Sequence, residues 1–168
     1  MGSERRTGPF LRTLAAMKPA GRFLELGTGT GIATAWLLAG MDASSKLDSV
    51  DRDPKVQAIA KRHLRYDNRV IFHLAEGVEF LVNARTPYDL IFADSWAGKF
   101  DHLHEALSLL RVGGIYLVDD LLPQPNWSED HAPKVPTLIN DLESRDGFEV
   151  TKLDWASGLM IVVRKGTF

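Results

Sequence analysis

The stretch Glu25-Leu26-Gly27-Thr28-Gly29-Thr30-Gly31 packs an acid and three glycines into one short run. Glycines so spaced let the chain turn tightly and bring its backbone against a ligand, and free N–H groups at a following helix start can take a carboxylate or phosphate. Isolated acids stand further along at Asp51, Glu76 and Asp94 and in the pair Asp119-Asp120, and Lys99 follows shortly after Asp94. The dinucleotide fingerprint G-x-G-x-x-G would need glycine at Ile32 or Thr34, so NAD is disfavoured. No lysine follows Gly31 before Lys46, which excludes ATP in a Walker loop.

The elements around these residues alternate. Phe10 to Lys18 has helical apolar spacing, Pro19 to Gly21 stop it, and Arg22 to Leu26 is a short strand entering the glycines. Ile32 to Leu38 predicts a helix, Lys46 to Asp51 a strand ending in acid, and Pro54 opens a helix whose Val56, Ile59, Ala60, His63 and Leu64 share one face. Asp53, directly before that proline, reads as its N-cap. Arg69 to Ala75, Tyr88 to Asp94 and Ile115 to Val118 predict further strands, with helices over Gly77 to Ala84 and His102 to Leu110, the second closed by Gly113-Gly114. Continuous apolar strands of this kind belong to a parallel sheet covered on both faces.

Leu121 to Pro136 holds four prolines, Trp127 and His131, and predicts an irregular substrate loop. Thr137 to Arg145 then predicts a last helix, and Glu149 to Trp155 with Leu159 to Arg164 a terminal hairpin. The whole is an α/β, doubly wound Rossmann-like sheet, mostly parallel with one antiparallel strand, in which ligands bind beyond the carboxyl ends of the strands. The glycines and acids all fall at that edge.

Length and composition agree with one domain over residues 1–168. The chain has 168 residues, 45% hydrophobic and 25% charged, so it can bury a sizeable core. A net charge of −2 offers no general basic field, which argues against nucleic acid as a partner. With no cysteine, disulfides and thiolate chemistry are excluded and a reducing cytoplasm is the expected setting. Met1 to Arg6 is small, polar and charged, and no run reaches the ~18 apolar residues that read as a membrane span, so we expect no leader and no membrane anchor.

The glycine loop resembles motif I of the class I S-adenosylmethionine-dependent methyltransferases, E-x-G-x-G-x-G after the first strand. The resemblance implies a cofactor site built from Glu25, Gly27, Thr28, Gly29 and Gly31, with Asp51 and Arg52 at the end of the second strand. It assigns Asp51 to both ribose hydroxyls, for which two carboxylate oxygens are suited. Ala75-Glu76-Gly77 is similar to the family's Gly-Asp-Ala, which implies that Glu76 receives the adenine amino group beside Gly77; a helix-start acid is the alternative. Asp94 and Trp96 are the remaining cofactor positions.

From Thr7 to about Leu122 the chain looks more specifically like the cation-dependent O-methyltransferases of the catechol and caffeoyl-coenzyme A type. That likeness implies Mg²⁺ held by Asp94, Asp119 and Asp120, a small hydroxylated acceptor, and Lys99 with Asp94 as catalytic residues, Lys99 as the base. Two departures stand out: Asp120 replaces the usual Asn, and Ala97-Gly98 displaces Lys99 by two positions, leaving a surface lysine as the other reading. The chain also starts close before the first family helix, so no longer N-terminal lid is expected. Trp96 and Trp127 suit the flanks of an aromatic acceptor, Trp36 and Trp155 suit packing, and His131 is an alternative base or ligand. His63, His73, His102 and His104 form no cluster. An RNA or protein N-methyltransferase of the same fold, and an inactive cofactor-binding module, are the competing functions; a homodimer is compatible with all of them.

Overall fold

The computed structural model describes residues 6–125 and 127–166. Most of the polar start, Met1 to Arg5, and Asn126 of the proline-rich segment lie outside the described residues. In chain order the elements are α1 (Thr7–Ala16), β1 (Arg22–Leu26), α2 (Ile32–Gly40), β2 (Lys46–Asp51), α3 (Pro54–Leu64), β3 (Val70–Leu74), α4 (Gly77–Asn83), β4 (Tyr88–Ala93), α5 (Leu103–Ser108), β5 (Leu110–Val118), α6 (His131–Ser144), β6 (Phe148–Leu153) and β7 (Leu159–Arg164). The strands form one sheet in the order β3-β2-β1-β4-β5-β7-β6. The first five are parallel, and β7 runs antiparallel to both β5 and β6, so one strand opposes the rest.

Alternation along the central strands divides the core in two. Phe23, Leu47, Leu90, Phe92 and Leu117 face α1 and α2, where Leu11, Leu14 and Leu37 complete one cluster. Leu24, Leu26, Ile91, Tyr116 and Val118 face the other way, toward Leu81, Leu107, Leu138 and Leu142 of α4, α5 and α6. Burying a leucine-sized side chain contributes roughly 1.5–3 kcal/mol, so the central strands are pinned from both faces. The chain winds outward from β1 to β3 and then crosses to β4 on the other side of β1. This reversal opens a crevice beyond the ends of β1 and β4.

Two expectations require correction. Residues 121–136 are not one loop, because α6 begins at His131 and contains Pro133 and Pro136. Pro133 stands in the first turn, where its missing N–H is no loss; Pro136 gives up one bond, and the packing of Val135, Leu138 and Leu142 holds the helix. Gly113-Gly114 do not close a helix either. They lie inside β5, where the pairing jumps from Tyr88↔Leu110 to Leu90↔Ile115, a bulge that the positive φ of Gly113 (74°) accommodates. Among the described residues, no helix is long and apolar enough to cross a membrane.

Candidate active site

Beyond the ends of β1 and β4 lies a cavity of about 640 Å³. Eight of the expected cofactor residues line it: Gly27, Gly29, Asp51, Arg52, Glu76, Gly77, Asp94 and Trp96. Gly27 brings the loop against β4; its φ is 106°, and a Cβ there would lie 2.8 Å from the Asp94 carbonyl oxygen. Asp51 braces the loop from β2, one carboxylate oxygen accepting from the Gly29 N–H at 2.7 Å and the other from the Asp53 N–H at 2.9 Å. Each oxygen retains further acceptor capacity. Arg52 and Glu76 face each other at 3.9 Å, both well exposed. Glu76 sits at the α4 N-cap without capping a backbone N–H, whereas Asp53 does cap α3, accepting from Lys55 and Val56.

Glu25, Thr28 and Gly31 do not line the cavity; they support it from beneath. Glu25 is fully buried, and one of its oxygens accepts from Thr34 Oγ1 at 2.6 Å and Ser49 Oγ at 2.5 Å while the other has no partner. Burial pushes its pKa up to about 8 against the two hydroxyl bonds. Thr28 joins the loop to β2 through Ser49 Oγ at 2.7 Å. Gly31 is a packing glycine, since a Cβ would lie 2.7 Å from the Cβ of Ala60 on α3.

Lys99, Phe100, Asp101, Asp120 and His131 line the other end of the cavity. The spacing of Lys99 is explained by a tight turn in which the N–H groups of Lys99, Phe100 and Asp101 all approach the Trp96 carbonyl. Gly98, at φ 77°, tucks against Leu26, where a Cβ would lie 2.3 Å from Cδ1, and its carbonyl accepts from Tyr116 Oη at 2.7 Å. The apparent insertion is therefore folded inward and returns Lys99 to the site. Only 3% exposed, Lys99 is no surface lysine. Its Nζ donates to the carbonyl oxygens of Asp119 at 2.7 Å and Asp120 at 3.3 Å and lies 3.4 Å from His131 Nε2. Burial lowers its pKa, while Asp120, Asp94 and Asp119 act to keep it charged.

Aromatic rings close this end. Trp127 stacks on His131 at 4.3 Å, Phe100 meets His131 edge-on at 4.9 Å, and Trp96 meets Phe100 at 5.4 Å. Trp127 Nε1 donates to Asp120 Oδ1 at 2.6 Å, and His131 Nε2 is 3.1 Å from the Asp120 carbonyl. Burial and the neighbouring Lys99 charge lower the His131 pKa. Residue 120 has φ 65°, a left-handed conformation that Asp and Asn tolerate better than most residues. Phe100 carried no motif, and His131 stood alone in a presumed loop; only the path of α6 brings them together.

The expected metal set does not assemble. Asp119 is buried away from the cavity, accepting from Ser157 Oγ and from the Asp120 N–H at 2.6 Å, and burial raises its pKa. Asp94 and Asp120 do line the cavity, but among the described residues no three acidic or imidazole side chains converge as ligands. These residues do not fit a divalent ion held by three carboxylates.

Residues 24–121 match the protein family described as a methyltransferase domain. A relative from Mycolicibacterium smegmatis, provisionally named an O-methyltransferase, is 33% identical over 162 residues, covering 91% of this chain and 70% of its own. The catechol O-methyltransferase of Niastella koreensis is 27% identical over 123 residues, covering 68% of this chain and 56% of its own. Among solved structures, the O-methyltransferase TomG of Streptomyces achromogenes in complex with SAM superposes with a TM-score of 0.82 at 21% identity, over 95% of this chain and 80% of that one. The chain spans about half the length of several curated relatives it matches. With the family match running through the glycine loop, Asp51, Glu76 and Asp94, the chain belongs to this methyltransferase family, within the class I S-adenosylmethionine-dependent methyltransferases.

Proposed function

We propose that this chain methylates a hydroxyl group of a small aromatic acceptor, with S-adenosylmethionine as the donor. The observation that carries this reading is the single cavity whose one end is glycine backbone and carboxylates and whose other end is aromatic rings around a buried lysine. The O-methyltransferase names of the relatives support it, and the catechol O-methyltransferase makes catechols the first acceptors to screen.

In this reading Asp51 accepts from both ribose hydroxyls, Glu76 takes the adenine amino group, and the Gly27 to Gly29 backbone with Asp94 holds the amino-acid end. When bound, the cofactor supplies a methyl carbon on positive sulfur, open to in-line displacement by an acceptor oxygen with the bonding pair remaining on sulfur. Positioning then supplies much of the rate. Trp96, Phe100 and Trp127 fix the plane of the acceptor ring, and Lys99 Nζ stands by its oxygen, whose proton passes to water. The buried walls restrict solvent and strengthen the lysine's effect on that oxygen. A cysteine-free chain supports a cytoplasmic setting.

Calorimetric titration with S-adenosylmethionine tests the first half of this reading, and label transfer from methyl-labelled cofactor to catechols and phenols the second. We expect saturable binding that Asp51→Ala weakens about a hundredfold, and label in the acceptor. No binding by the folded wild-type chain would overturn the cofactor assignment; binding with no transfer across the panel would overturn the acceptor assignment.

A further inference from the structure

The likeness in the strand ends implies a divalent ion between Asp94, Asp119 and Asp120, yet two of the three side chains are committed elsewhere. Asp119 is 1% exposed and turned to Ser157. Asp120 gives one carboxylate oxygen to the Trp127 indole. A buried amine already stands where these segments meet. Lys99 Nζ lies against two backbone carbonyls, at 2.7 and 3.3 Å, and the charges of Asp120, Asp94 and Asp119 all act on it.

We propose that the Lys99 ammonium is the resident cation of the acceptor end, in place of a divalent ion, and that methyl transfer by this chain needs no metal. This rests on the function proposed above for one point, that the acceptor binds beside Lys99. An ammonium has three N–H bonds. Two are used on the Asp119 and Asp120 carbonyls, and the third faces His131 Nε2 at 3.4 Å, the longest of the three contacts and the one an acceptor oxygen would replace. A divalent ion entering here would meet a fixed like charge. The substitution also bears on specificity. A metal can bind two adjacent oxygens, whereas one remaining N–H addresses one, so a single phenolic hydroxyl is sufficient and a vicinal pair is not required.

The test titrates Mn²⁺ into the wild-type chain saturated with S-adenosylhomocysteine, following the free-ion signal by electron paramagnetic resonance. The free signal is expected to persist, and its stoichiometric loss would overturn the proposal. In parallel, Lys99→Met is expected to bind Mn²⁺ about tenfold or more tightly than wild type, because the like charge that a divalent ion would meet at this end of the cavity is removed; a folded variant with unchanged Mn²⁺ affinity would overturn the role of the ammonium. Should that variant not fold, the wild-type titration still decides. Where an acceptor is found, label transfer is expected to be undiminished by EDTA, with a monophenol methylated within about tenfold of its catechol counterpart. Transfer that EDTA abolishes and Mg²⁺ restores would overturn this inference while upholding O-methylation. Transfer to no acceptor would count against the proposed function, and the ion titration would then judge the lysine alone.

Discussion

The two ends of the cavity are built on different plans. At the glycine end the ligand-facing surface is largely backbone, and it is held by two strand tips that are neighbours in the sheet: the Gly27 N–H reaches the Val50 carbonyl at 2.9 Å, and Asp51 reaches back to Gly29. At the acceptor end the surface is side chains from the turn after β4, the tip of β5 and the start of α6, joined by Lys99, Asp120, Trp127 and His131. The first plan tolerates little change in backbone geometry or in the few carboxylates, Glu25 and Asp51, that brace it. The second can be altered one side chain at a time. A fold that keeps its donor while varying its acceptor needs this division, since a backbone cradle suits one unvarying ligand and side chains can be exchanged to suit many.

Substitutions at each end can sharpen or break that contrast. The largest effect should come from beneath the glycine loop, at Glu25. Its folded pKa of about 8 exceeds the unfolded value of 4.5, so across this window the folded chain holds a proton that the unfolded chain has lost. Stability should therefore fall as pH rises from about 5 to 8, by on the order of 4 kcal/mol. Glu25→Gln should flatten that slope in urea unfolding of the ligand-free protein; an unchanged slope would show that Glu25 is not its source.

Next is Asp51→Ala, for which we expect a loss of about a hundredfold in cofactor affinity, the worth of two charge-assisted hydrogen bonds. Urea unfolding should show the fold retained, and divalent-ion titrations should match wild type. Parallel losses at both ends would break the proposed division. Trp127→Phe should act the other way: the ring stays, the bond to Asp120 Oδ1 goes, and kcat/KM for the acceptor should drop about tenfold while calorimetry finds the same cofactor affinity. The smallest effect belongs to Lys134, whose Nζ lies 5.2 Å from the Trp96 ring centre at the rim. Lys134→Ala should change the acceptor KM by about threefold or less, in line with an exposed cation–π contact.

Legibility followed the same line. Asp53 could be read as an N-cap and Asp51 as the acid at the strand-two tip because both depend on near neighbours in sequence. Thr28 and Gly31 belong to the loop pattern expected of a cofactor surface, yet they serve Ser49 and Ala60; a loop pattern does not reveal which of its members turn inward. Asp119 and Asp120 are adjacent and alike in type, but one lines the cavity and the other is buried on Ser157. Successive residues at a strand exit point to different sides, and the direction of the chain beyond the strand decides which side is the site.

The sequence by itself determined the alternation of strands and helices, the split of the apolar residues between two faces and the glycine loop with its acid, because those follow from periodicity and from turns closed over a few residues. The tertiary structure alone decided that Lys99 is buried and facing carbonyls, that His131 opens a helix stacked under Trp127, and that the three strand-end acids do not meet. The burial of Lys99 joins segments 20 to 32 residues apart in the chain, as Lys99 is from Asp119 and from His131, whose relative position is set by packing against the sheet and not by local conformational preference.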